Sequence, residues 1–447
     1  MTNPMGFGPG GDNDGLASMF ENIGRMLRNG GKDGDVDWSA AQSACDQLIA
    51  SHPCPAVTES DQSATNNAST IAEIWLNQAT SFSSANNSVR AITPQEWTSL
   101  TFEAWKAIVE PVAAAMASAM SSIMPSNATS EPTSIPEEVL EQMDPGMADQ
   151  MREMLQSVDF SALSGSLIAM ARSMGATMFG TQFGGALGEM AQEILSTTDT
   201  GIPLTDTSSP TVVLANVHTL AEGLGKDVEE VKLYVILREL AHQRLFEQAP
   251  WIHSQVVEAI HAYSRGVKID TARIEQAMTD VDLSNPNSLN ELMQGNIFEP
   301  SQSDEQRFAL DRLEVLLALI EGWVTVVVTD ATHNRLPSAM ALEETFRRRR
   351  AAGGPAEKLF AGLVGLEIRP RRIREAVTLW NRITSSNGID ARDNVWSHPD
   401  LLPNAADLED SENYTLDRDY DLMADLNRAM DESSGAPDPH ESEKPED

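Results

Sequence analysis

The chain has 447 residues, 41% of them hydrophobic and only 5% aromatic, with a formal net charge of −36. That length and apolar content can fill a sizeable core, and the shortage of aromatics favours packed helices over sheets. The acidic balance argues against general nucleic-acid binding and attraction to anionic membranes, and two cysteines, Cys45 and Cys54, make neither a disulfide framework nor a cysteine-rich zinc site.

The opening stretch MTNPMGFGPGGDNDG lacks the basic and apolar regions of a signal peptide, so a cytoplasmic protein is expected. Residues 1–35, rich in Gly, Asn and Asp, are expected to be disordered. From Trp38 to about Ser122 apolar residues recur at helical spacing, and Trp97, Leu100, Trp105, Ile108 and Val109 fall roughly on one face. A helix is predicted to begin at Pro136, with two glutamates behind it. The run SALSGSLIAMARSMGATMFG comes nearest to a membrane span but is broken by Arg172. Behind it, Gly180, Gly184 and Gly188 recur at steps of four, a small-residue stripe that lets a second helix approach closely.

TVVLANV, residues 211–217, is the best strand candidate, so the predicted fold is mainly α with at most this short strand element. Asp227 and Glu230 form a predicted capping box for a helix from about Val228 to Glu247, and Pro250 opens another that ends at Gly266. A long apolar segment begins at a Ser303 cap and is predicted to be a buried helix, although its Val326–Val328 end also reads as strand. Positive charge concentrates in Arg347 to Arg350, with Lys358, Arg369, Arg371, Arg372 and Arg374 downstream. Without interleaved aromatics, this run is expected to neutralise acidic segments rather than bind nucleic acid. Residues 405–447 carry 15 acidic against 3 basic residues and are expected to form a disordered acidic tail. Two helical regions, 36–200 and 201–404, are expected between these ends.

The chemistry centres on VILRELAHQRLF, residues 235–246, one substitution away from H-E-x-x-H. Positions 238 and 242 lie one helical turn apart, where two histidines would share a zinc ion, with the intervening glutamate activating its water. Glu239 and His242 are present, but Arg238 holds the first ligand position, and a guanidinium offers no lone pair. Glu321 is a lone carboxylate inside LEVLLALIEGWVTVVV. A buried charge must find a metal, a cation or a wet cavity, and the Arg238 fork is a candidate partner. His253 and His261, eight apart on the next helix, are possible additional ligands; they also read as ordinary half-buried histidines.

LRELAHQRLFEQAPW, LLALIEGWV, RRRRAAGGPAEKLFAGLVGLEIRPRRIREA and VWSHPDLLPNAADL together carry a resemblance. Over roughly residues 85 to 410 the chain resembles the zincin-like family of zinc-dependent metalloproteases and hydrolases of actinobacteria, some linked to deazaflavin-cofactor biosynthesis. The resemblance implies a zincin-like helical architecture and a zinc cofactor. It makes His242 the second histidine ligand, Glu239 the general base and Glu321 the third ligand, with Arg238 as the departure. Two readings stay open. One is a zinc-dependent peptide hydrolase with a rebuilt site; the other is an inactive scaffold that binds a protein or peptide partner in the former cleft.

Overall fold

The computed structural model describes residues 34–84, 88–123, 160–205, 210–266, 303–364 and 372–416. The helix expected at Pro136, the segment 1–33, Arg369, Arg371 and the tail beyond 416 lie outside the described residues.

Asp37 starts the first helix, α1 (Trp38–Ala50), by accepting from the amides of Ser39 and Ala40. The capping box of Thr58 and Asp61 starts α2 (Glu59–Leu76). After the short strand β1 (Arg90–Ile92) comes α3 (Pro94–Ile123), which buries Trp97, Trp105, Ile108 and Val109. Leu100 is the exception on that face, at 37% exposure. The glycine stripe sits on α4 (Phe160–Ala191). A Cβ at Gly184 would overlap the Ala41 carbonyl, and one at Gly180 the Asp37 carbonyl, so α1 lies against α4 at backbone distance.

β2 (Thr211–Val213) pairs with β1 in parallel, Arg90 opposite Thr211 and Ile92 opposite Val213. The strand is shorter than expected, because α5 (Leu214–Leu224) begins at once. Asn216 explains the early stop: its amide donates to the carbonyls of Ala191 and Ile194, at 2.9 and 2.7 Å, closing the end of α4.

The next helix, α6 (Val228–Gln248), is buried at every residue from Tyr234 to Phe246. Asp227 caps it by accepting from Glu229 and Glu230 amides, but the reciprocal half of the expected box is not made. The Glu230 carboxylate instead accepts from the Ser338 amide at 3.1 Å. α7 (Trp251–Arg265) follows and ends at Gly266. A complete Ser303–Gln306 capping box opens α8 (Asp304–Thr332), which stays helical through Val326–Val328. By length and composition α8, rather than the 161–180 run, comes closest to a membrane span, and 83% of its most apolar window is buried inside the molecule. The last elements around the site are α9 (Ala339–Ala351), α10 (Pro355–Val364) and α11 (Ile373–Asn387). Gly322 lets α11 rest on α8, since a Cβ there would come within 2.7 Å of the Ala376 methyl. One contiguous apolar cluster runs from Ala41 to Leu408, so both halves of the chain share a core.

Candidate functional site

Where α6 crosses α8, Arg238 Nη2 donates to Glu321 Oε2 at 2.5 Å. A second arginine, Arg350 in the last turn of α9, donates to Glu321 Oε1 at 2.6 Å. The three side chains are 6%, 4% and 9% exposed, so both charge pairs are largely withdrawn from bulk water. Such pairs are strong because the carboxylate and guanidinium are both ionised. The Arg238 guanidinium also lies 4.9 Å from the Phe346 ring centre.

A polar loop closes the site from below. Ser196 to Thr200 are all buried between α4 and β2. Asp199 forms an ion pair with Arg349 at 3.0 Å, without an aligned hydrogen bond, and lies 3.8 Å from Arg350. Gly201 has φ 73°, a left-handed conformation that favours glycine, and a Cβ there would stand 3.2 Å from Glu321 Oε1.

Burial alone would raise the Glu321 pKa, but the adjacent Arg350 and Arg238 outweigh it, and the carboxyl is held far below its usual range. Burial likewise opposes the charge on Arg238, yet Glu321, Tyr234 and Asp199 raise its pKa. Burial pushes the Tyr234 hydroxyl up to about 12. The centre is therefore a fixed set of ion pairs at neutral pH.

His242 joins this group. Its Nδ1 lies 2.9 Å from the Arg238 carbonyl, which can only accept, so Nδ1 carries a proton. Its Nε2 faces Glu321 Oε1 at 3.4 Å without forming an aligned hydrogen bond.

Glu239 points into different chemistry. Its Oε1 accepts from Thr197 Oγ1, Gln243 Nε2 and the Thr211 amide at 2.7, 3.0 and 3.2 Å. Its Oε2 accepts from Thr198 Oγ1 and the Thr198 amide at 2.5 and 3.1 Å. Five donors exceed the roughly four lone-pair sites of a carboxylate, so neither oxygen is free to take a proton from water. Here Glu239 ties α6 to the polar loop and to β2.

The other histidines stand apart. His253 is exposed on α7. His261 is half-buried, and burial lowers its pKa while the α3 carbonyls of Ile108 and Ala107 oppose that shift. Neither contacts the Arg238–Glu321 pair. Reading the sequence alone missed Arg350 and the Thr197–Asp199 loop. The signal for Arg350 was available in the four consecutive arginines, which between them serve Glu321, Asp199 and Glu344.

Zinc can be tested against these donors. In a tetrahedral site with bonds of ~2.0–2.2 Å, two ligand atoms stand roughly 3.4 Å apart, so the 3.4 Å between His242 Nε2 and Glu321 Oε1 would suit a shared ion. The third position holds a guanidinium, which has no lone pair and repels a cation. Both Glu321 oxygens are already taken by arginines. Among the described residues no group of three or more His, Cys, Asp or Glu is placed to hold a metal ion. The residues present do not fit the zinc that the helix pattern would call for.

Residues 36–415 match the model of the zincin-like metallopeptidase family, and the chain belongs to that family. It is also similar to a solved structure from Chloroflexus aurantiacus, described as a candidate hydrolase with a novel fold. The match has 17% identity and a TM-score of 0.54, and covers 89% of this chain and 99% of that one. At that identity the likeness concerns the fold alone. No curated protein matches the chain.

Proposed function

We propose that this chain is a zincin-like scaffold whose metal position is closed by an ion network, and that it binds a protein or peptide partner in the former cleft without hydrolysing it. One observation carries the reading: each oxygen of Glu321 accepts from a different arginine, Arg238 and Arg350. Catalytic zinc generally takes three protein ligands and leaves one position for water. Here one ligand position has become a cation, the third ligand is neutralised twice, and the general-base position is saturated by Thr197, Thr198, Thr211 and Gln243. Each of the three roles that a zinc peptidase needs has been given a structural task instead.

A second reading, peptide hydrolysis at a zinc ion held by His242 and Glu321, is favoured by the 3.4 Å spacing of their atoms. Equilibrium dialysis of the untagged full chain against zinc, followed by elemental mass spectrometry, separates the two, together with a peptide-hydrolysis assay in the same buffer. The scaffold reading expects zinc near zero per chain and no chelator-sensitive hydrolysis. One zinc per chain together with such hydrolysis would overturn it.

A further inference from the structure

Above the ion network lies a cleft of about 270 Å³ between α6, α8, α9 and α11. Four arginines line it, Arg238, Arg347, Arg350 and Arg374, against two carboxylates, Glu321 and Glu343. In a chain of net charge −36 this is a local reversal of sign. Salt screens exposed charges beyond ~8 Å at physiological ionic strength, so the walls of the cleft, not the whole chain, set the potential that a bound group meets.

The arginines are not equally committed. Arg238 and Arg350 are held by Glu321, and Arg347 grips Glu344 with two bonds of 2.5 and 2.6 Å. Arg374, in the first turn of α11, is exposed and has no acidic partner among the described residues. Phe346 and Val377 add apolar wall between the cations. We infer that this cleft is a binding site for an acidic peptide segment of a partner protein, whose carboxylates meet Arg374 and the outer edge of the arginine group while its stems lie on the apolar wall. The inference rests on the reading that the cleft binds a partner, and it names that partner's chemistry. Guanidinium forks match carboxylates, and the excess charge is spread over α6, α9 and α11. Carboxylates spaced along a chain therefore suit it better than one compact dianion.

The test measures fluorescein-labelled hexaglutamate binding to the full chain by anisotropy. The expected result is saturable binding that weakens as salt is raised. Arg374→Glu is expected to lower the affinity ~10-fold or more, while Arg382→Glu, the same charge change at an exposed position further along α11, leaves it nearly unchanged. Absence of saturable binding, equal loss in both variants, or displacement by inorganic phosphate more readily than by unlabelled hexaglutamate would each overturn the inference. Binding that emerges only when the acidic residues between 431 and 447 are converted to amides would assign the cleft to this chain's own end and overturn the partner assignment. Zinc content of the same preparation keeps the two readings separate. One zinc per chain with intact peptide binding removes the inactive-scaffold reading alone, and a zinc-free protein without peptide binding removes this inference alone.

Discussion

Arg238 and Glu321 stand 83 residues apart in sequence and meet at 2.5 Å in the interior, one on each of two crossing helices. The ion pair pins α6 to α8 in the interior.

Removing the carboxylate is expected to be costly. Glu321→Ala leaves Arg238 and Arg350 buried without their common partner, and breaking a buried pair in this way typically costs about 3–5 kcal/mol. Replacing all three residues together by Met or Leu is expected to recover most of that loss, because apolar side chains leave no stranded charge. Thermal unfolding of the single and triple variants measures both. Equal melting temperatures for Glu321→Ala and the native protein would contradict the pair's structural role.

The pair also predicts an acid limb in stability. Unfolded, the Glu321 carboxyl titrates near 4.5; folded, two arginines hold it lower. The unfolded chain therefore binds the proton first, and the contribution of Glu321 is complete above about pH 5 and drains away as pH falls through 4.5 toward the folded value. Melting temperature against pH should fall less steeply below pH 5 in Glu321→Gln than in the native chain. Parallel curves would count against a depressed carboxyl.

Metal binding should be recoverable only by undoing both cations. Arg238→His places an imidazole at position 238, yet Arg350 still occupies Glu321 Oε1 at 2.6 Å, so little zinc is expected. Arg238→His with Arg350→Leu frees the carboxylate and supplies His242, Glu321 and a new histidine, the usual number of protein ligands. Calorimetric zinc titration of both variants checks this. Tight zinc binding by the single variant would show that Arg350 is not a barrier.

Glu239 is predicted to act on structure. Glu239→Ala strands the Thr197 and Thr198 hydroxyls and the amides of Thr198 and Thr211, and unmet buried donors cost about 1–3 kcal/mol. Amide hydrogen exchange over 196–200 should accelerate in this variant more than over α7. Unaltered exchange in that loop would mean its order does not depend on the carboxylate.

The helix-packing stripe offers a paired control. Gly184→Ala would drive a methyl into the Ala41 backbone, with a cost of about 1–3 kcal/mol as for other overpacked sites. Gly185→Ala meets nothing within 4 Å and should be neutral or stabilise by up to ~1 kcal/mol through helix propensity. A reversal of that order would show that α1 and α4 are not held at backbone distance.

Much of this was legible in the residues themselves. Helical periodicity, the Ser303 cap and the glycine stripe located α8 and the face of α4 that a second helix approaches, because these signals are local; that the second helix is α1 was not encoded in them. The lone Glu321 in an apolar run announced a buried partner, and Arg238 was nameable as that partner because the near-motif drew attention to it. Arg350 was not nameable, since choosing among four neighbouring arginines depends on how α9 docks, which no short-range pattern encodes. Residues 214–217 read as strand because their apolar run suits either state; the tertiary bonds of Asn216 to the end of α4 decided for helix. Glu239 read as a general base because motif spacing says nothing about the threonine loop that folds over it.

The most direct test is a crystal structure of the untagged protein grown with zinc and measured on both sides of the zinc absorption edge. The ion-pair account predicts continuous density from Arg238 through Glu321 to Arg350, with no anomalous peak between His242 and Glu321. A strong peak there, with the Arg238 side chain turned away from Glu321, would contradict it.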